Sequence, residues 1–267
     1  MLNGKVPNVT TGVRAAVHEA VVIADDDVRH TAVTLRAVLA RLRGADLVVP
    51  TNVFDPMPWH ARWDTARTLV NRSLWVDYPG TLGVRRSTFL AMGAYDGDVL
   101  FEDLELVRTV RAAGGRLVYA PDVYVRRLPP TVRTFLGQRV RQAYDDLAQP
   151  PKLAAMLALA PLAVAIAARR ARRLVPAAVA AVALAEVGRH RHGGAEAFPM
   201  TASLFAPAWV AERSVCVWVA AARRLLLGGV RYRGARIRYA ATPMRRLRRR
   251  MVAQAAEGRE PPRERAA

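Results

Sequence analysis

The apolar run Val21-Val22-Ile23-Ala24 ends in three consecutive aspartates, Asp25, Asp26 and Asp27, and this junction limits the possible folds more tightly than any other stretch. A short apolar run of this kind reads as a buried strand. Carboxylates at its end put negative charge at the C-terminal edge of a sheet, where open α/β folds bind ligands. Three like charges side by side repel unless something neutralises them, and a hard divalent cation does this best. Mg²⁺ in particular is held by one or two carboxylates together with the phosphates of a substrate. The triplet therefore points to a metal–diphosphate site. The alternative is an acidic strand-to-helix turn in which Asp27 or His30 caps a helix starting near Thr31.

The spacing of apolar residues predicts alternating strands and helices over the first 150 residues. Val9–Glu19 reads as a short amphipathic helix and Val21–Ala24 as a strand. Thr31–Arg43 carries Val33, Leu35, Val38, Leu39 and Leu42 at helical spacing. Asp46–Pro50 and Leu117–Ala120 read as strands, ended by Pro50 and Pro121. Trp59–Trp75 reads as a helix with an aromatic stripe, Pro79–Arg86 as a tight loop or short strand, and Ser87–Met92 as a helical turn stopped by Gly93. Leu104–Ala113 reads as a helix stopped by Gly114-Gly115, and Thr131–Leu147 as a long basic amphipathic helix. Such alternation argues for an α/β domain.

Charge divides the chain. Residues 1–150 hold 19 Lys/Arg and 16 Asp/Glu, a net +3, whereas residues 151–267 hold 22 and 6, a net +16. The expected organisation is an α/β domain over 1–150, an apolar helical region over 151–240 and a basic disordered tail over 241–267. The single cysteine, Cys216, excludes an intramolecular disulfide and a cysteine-based zinc site. The five histidines show no metal-ligand spacing.

Three further pieces accompany the triplet. Gly80-Thr81-Leu82-Gly83-Val84-Arg85 is a glycine-containing loop ending in arginine. Glu102-Asp103 puts two carboxylates at a helix start, and Gln138-Arg139-Val140-Arg141 lies in the basic helix. Each has an ordinary reading: glycines that serve turn geometry, acids at the positive end of a helix dipole, and a solvated arginine. In this order and spacing, with the opening Gly4-Lys5-Val6-Pro7-Asn8, the pieces resemble family 2 glycosyltransferases. That family has the nucleotide-sugar-binding GT-A fold, and the likeness is greatest to its processive and lipid-directed branches, such as the ceramide glucosyltransferase-like enzymes.

The resemblance implies an inverting transferase that uses a nucleotide-sugar donor, a UDP-sugar first among candidates. Asp25 and Asp27 would hold Mg²⁺ or Mn²⁺. Asp103 would be the general base, with Glu102 polarising the site. Gly80 and Gly83 would let substrate approach the backbone, and Arg85, Gln138 and Arg141 would bind it. Gln142 stands where the family carries tryptophan. The family's opening strand and an upstream aspartate that helps bind the base have no counterpart here. The resemblance thus implies that the N-terminal part of the domain is missing and that the natural protein is longer. A non-catalytic, membrane-bound remnant is the alternative.

Leu153–Ala168 is a 16-residue run without charge, and Leu174–Val187 is a second, interrupted by Pro176 and Glu186. Arg169, Arg170, Arg172 and Arg173 lie between them. Both runs fall short of the roughly 20 apolar residues of a spanning helix. A re-entrant or interfacial pair, with its arginines at anionic headgroups, fits them; two core helices of a soluble domain would also fit. Leu204–Ala222 reads as a further membrane-associated helix. These segments predict a cell-membrane protein whose catalytic part faces the cytoplasm and whose acceptor is a lipid or lipid-linked hydroxyl. Nucleic acid is a weaker partner, because the charge accompanies apolar runs and is not interleaved with aromatics.

Overall fold

The computed structural model describes residues 4–74, 77, 80–93, 95–232 and 234–257. Trp75 and Pro79 of the expected elements, and the tail beyond Glu257, lie outside the described residues. The elements are α1 (Lys5–Ala15), β1 (Ala20–Ala24), β2 (Val28–Arg29), α2 (Ala32–Leu42), β3 (Leu47–Phe54), α3 (Trp59–Leu74), β4 (Thr81–Arg85), α4 (Arg86–Ala91), α5 (Glu102–Ala112), β5 (Leu117–Arg127) and α6 (Val132–Ala143). There follow α7 (Pro150–Arg170), α8 (Val175–His190), α9 (Gly194–Ala197), α10 (Met200–Ser203), α11 (Ala206–Leu226), β6 (Val230–Tyr232), β7 (Ala235–Ile237) and α12 (Met244–Glu257).

The architecture is mixed α/β: a five-stranded mixed sheet with long helices. The strand order is β1-β4-β3-β5-β2, with β3 and β5 parallel and the other neighbours antiparallel. Alternation along the strands sends side chains to two cores. Leu47, Val49, Leu82 and Val84 face α1, α4 and α5, through Val6, Val13, Phe89, Leu106 and Val110. Val48, Ala120 and Val125 face α2, through Val38 and Leu42. Thr31 caps α2 by accepting from the Thr34 amide, so neither Asp27 nor His30 serves as the cap.

β1 and β2 occupy opposite edges of the ladder, yet only Asp25, Asp26 and Asp27 separate them. Four extended residue steps reach about 14 Å at most, whereas four flat strand spacings need about 19 Å. The sheet must therefore curl. It does so because β3 pairs with β4 only at Leu47 and Val48, then continues with β5 alone.

The sequence predicts that Pro50 and Pro121 end their strands, but both strands run on. The β3–β5 register passes from Pro50↔Ala120 to Thr51↔Tyr124, so three β5 residues bulge out opposite the joint. Proline lacks the amide that a regular ladder needs, and a bulge is where it is tolerated. Buried Arg72 of α3 takes up the loose groups, donating to the Pro121 carbonyl at 2.9 Å and the Thr51 hydroxyl at 3.1 Å.

The helical part packs on α3. Leu69, Ala66 and Val70 meet Ala185, Phe198, Ala202 and Trp209 in a third core. Gly188 lets α8 approach the α3 backbone so closely that a Cβ there would collide with the Leu69 carbonyl. Arg139 of α6, buried, joins Asp64 of α3 at 3.1 Å and Glu212 of α11 at 2.9 Å. Arg213 grips fully buried Asp146 with two bonds of 2.8 Å. By contrast, α7 buries no residue. The stretches Pro150–Ala197 and Met200–Leu226 are long and apolar enough to cross a membrane, although the separate runs read as too short in the sequence. The expected disordered tail begins with a helix, α12, because Leu247 is buried and Met251, one turn on, packs against the first core.

Gly188→Ala should push α8 off α3 and cost about 1–3 kcal/mol, seen as a lowered unfolding midpoint in detergent. Gly137 is the control, because nothing lies within 4 Å of the place a Cβ would take there. Gly137→Ala should be neutral or stabilising by up to about 1 kcal/mol. Equal behaviour of the two variants would show that the α3–α8 approach carries no strain.

Candidate functional site

The curl of the sheet delivers Asp25 and Asp27 to the N-terminus of α5. Asp25 leaves β1 with its amide bonded to the Gly80 carbonyl at 2.8 Å, and the Asp27 carbonyl accepts from the Leu128 amide at 2.8 Å. Helix α5 begins at Glu102, so Glu102 and Asp103 fill its first turn, where the dipole favours negative charge. Asp25, Glu102 and Asp103 each offer an oxygen, and these oxygens lie within 4.8 Å of one another. Opposite oxygens around Mg²⁺ stand about 4.2 Å apart, twice its bond length, so the group is close to the size of a cation shell.

Two basic side chains hold the carboxylates. The Lys5 ammonium, from the first turn of α1, lies 2.6 Å from Asp25 Oδ1, 3.0 Å from Asp103 Oδ1 and 3.2 Å from Glu102 Oε1. Arg127, the last residue of β5, donates from Nη2 to Asp25 Oδ2 at 3.1 Å and from Nε to Asp27 Oδ2 at 2.9 Å. The other Asp27 oxygen, Oδ1, is buried without a hydrogen-bond partner. Gly80 leaves room for the ion pair, since a Cβ there would run into Asp25 Oδ2 and stand 2.8 Å from Arg127 Nη1. The Gly80 amide donates to Asn52 Oδ1 at 2.7 Å, fixing the loop to β3.

Charge is unbalanced at this point. Burial pushes the Asp103 carboxyl up to about 7; Glu102 and Asp25 push the same way and Lys5 opposes them. Burial would lower the Lys5 pKa, but Asp103, Glu102 and Asp25 together raise it, so the ammonium stays charged. Burial also pushes up the phenol of neighbouring Tyr95, with Asp103 adding to the effect. A divalent cation fits this site on two counts: the donors are hard oxygens, and an ammonium already stands among them.

The expected site residues divide in two. Asp25, Asp27, Gly80, Glu102 and Asp103 come together. The triad that could hold a metal joins Asp25 to Glu102 and Asp103, while Asp27 turns to Arg127. Gly83 and Arg85 are placed elsewhere. Gly83 faces α2, where a Cβ would stand 2.6 Å from Val38 Cγ1. Arg85 sits at the other end of β4, opposite Ala20, donating to the Leu42 and Arg43 carbonyls at the end of α2. Gln138 is half-buried on α6, and Arg141 lies over the Tyr232 ring at 5.1 Å. Lys5, Arg127 and Asn52 were given no role by the sequence. Lys5 had a visible signal, being one of two lysines among 41 basic residues. Arg127 escaped because Pro121 reads as the end of its strand.

No protein-family model and no curated protein matches the chain. Among solved structures it is similar to the mannosyltransferase PcManGT from Pyrobaculum calidifontis in complex with GDP-Man and Mn²⁺. The two are 20% identical, with 96% of this chain and 68% of that one covered and a TM-score of 0.40. A likeness of that size carries no argument about activity.

Cation and proton compete for the triad, which sets the sign of the pH dependence. Below about 7 Asp103 holds a proton that an entering cation must expel. Mn²⁺ affinity should therefore climb with pH, by up to about tenfold per unit, and level off above neutrality. Asp103→Asn should flatten the profile. Titrations of both proteins from about pH 5.5 to about pH 8.5 check this; a flat wild-type profile would exclude Asp103 from the cation's surroundings.

Proposed function

We propose that the protein is a membrane-associated glycosyltransferase of the GT-A type. It would move a sugar, with inversion, from a nucleoside-diphosphate sugar, a UDP-sugar foremost, to the hydroxyl of a lipid or lipid-linked acceptor. The observation that carries this reading is the meeting of Asp25 with Glu102 and Asp103, a carboxylate group large enough for one cation. Asp103, beside the other two, is the carboxylate available to accept a proton.

In this mechanism Asp103 takes the proton from the acceptor hydroxyl. The acceptor oxygen attacks the anomeric carbon from the face opposite the diphosphate, and the bond from that carbon to the diphosphate oxygen breaks with its electron pair. Asp25 and Glu102 would hold Mg²⁺ or Mn²⁺, which would supply Lewis-acid stabilisation to the departing diphosphate. Arg127 keeps Asp25 and Asp27 aligned with two hydrogen bonds. Gln138 and Arg141 are the candidates for diphosphate contact, arginine suiting phosphate by its charge and fork. Arg85 and Gly83 take no part, being committed to α2.

Asp103→Asn should abolish sugar transfer, to below about one part in a hundred of wild type, while UDP still binds at saturating Mn²⁺. Transfer from a radiolabelled UDP-sugar into extracted membrane lipids measures the first, and titration with UDP and Mn²⁺ the second. Preserved turnover would remove the proposed base.

The location we propose is the cell membrane, with the site facing the cytoplasm. Support comes from α7, largely apolar and with no buried residue, which ends in Arg169 and Arg170 with Arg172 and Arg173 just beyond. Exposed apolar helices and flanking arginines suit an anionic bilayer. Detergent-free protein should co-sediment with vesicles containing phosphatidylglycerol, and largely remain bound at high salt because apolar burial is not screened. Complete release by salt would reduce the contact to surface charge.

A further inference from the structure

We propose that Lys5 is a built-in counter-ion of the carboxylate group, which a divalent cation must displace to bind. The inference rests on the metal-dependent reading above and adds a residue that sets how tightly the metal is held. The Lys5 ammonium is within 3.2 Å of an oxygen on each of the three carboxylates that could hold a metal. It occupies the place where a bound cation would have to sit. Two cations cannot share that space, since their repulsion would act at contact distance in a partly buried pocket.

Composition makes the choice of lysine informative. Of 41 basic residues only Lys5 and Lys152 are lysines. An ammonium is a compact point charge on a flexible four-carbon stem, whereas guanidinium is a larger, rigid planar fork. Lysine can lie among three carboxylates and can also leave by side-chain rotation. The backbone need not move, because Val6 and Val13 of α1 are anchored in the first core. Lys5 and Arg127 bring two positive charges to the four carboxylates of Asp25, Asp27, Glu102 and Asp103, so the group is undercompensated. A divalent cation neutralises more of that charge, so displacement is favourable once the ion is present. Without it, Lys5 keeps the carboxylates from repelling one another and preserves the site.

The test is Mn²⁺ binding by the purified full chain, followed through the paramagnetic resonance of free Mn²⁺. Lys5→Met should bind Mn²⁺ at least about tenfold more tightly than wild type. A second measurement needs no variant. Acylation of Lys5 by an amine-reactive ester, read by mass spectrometry against Lys152 as internal reference, should rise when Mn²⁺ is added. Equal or weaker Mn²⁺ binding by folded Lys5→Met, or Lys5 reactivity unchanged at saturating Mn²⁺, overturns the inference and leaves the metal site standing. Absence of Mn²⁺ binding by wild type and variant alike overturns both the inference and the metal-dependent reading.

Discussion

A three-residue crossing governs this structure. Asp25, Asp26 and Asp27 carry the chain from one edge strand of the sheet to the other. That span is too short for a flat ladder, so β3 parts from β4 after two pairs and turns with β5 and β2. Arg127 then stands within reach of both Asp25 and Asp27 and locks the crossing. The same turn brings the end of β1 against the start of α5, and the carboxylate group follows from it. Gly80 and Asn52 serve this geometry, the first by occupying no space and the second by accepting the Gly80 amide.

The curl has a cost elsewhere, and arginines meet it. The joint in the β3–β5 ladder leaves the Pro121 carbonyl without a strand partner. Arg72 supplies one, and also donates to the Tyr124 hydroxyl and to the carbonyls of Gly188 and Arg191. One buried guanidinium thus ties the sheet, α3 and the end of α8 together. Arg139 and Arg213 do comparable work between α6, α11 and the turn at Asp146. Buried ion pairs of this kind add little net stability, but removing one partner costs about 3–5 kcal/mol because a charge is left uncompensated. Part of the chain's high arginine content is therefore structural, which weakens any reading of its net charge as a nucleic-acid surface.

Helix positions were legible where apolar spacing was strong. α2, α3, α5 and α6 lie within a few residues of their expected places, because each buries a stripe that repeats at helical spacing. Strand ends were less legible. Proline is a sound local stop signal, yet two prolines that meet across a ladder can share one bulge, and no local rule anticipates that encounter. The basic run at Arg245–Arg250 concealed α12 for a similar reason: its anchors, buried Leu247 and half-buried Met251, are too sparse to stand out among arginines.

By itself the sequence determined the α/β alternation, the apolar C-terminal helices, and the acidic residues that converge: Asp25, Asp27, Glu102 and Asp103. These follow from local pattern, since apolar period sets each element and carboxylates at strand and helix ends mark a site. Only the tertiary structure decided which charges meet. Lys5 is 98 residues from Asp103, and Arg127 is 102 from Asp25. It also separated Gly80, at the site, from Gly83 and Arg85, which lie along the same strand but serve α2. The physical reason is that ion pairing acts through space: a residue's partner is fixed by how the sheet curls, and that curl is a property of the whole ladder.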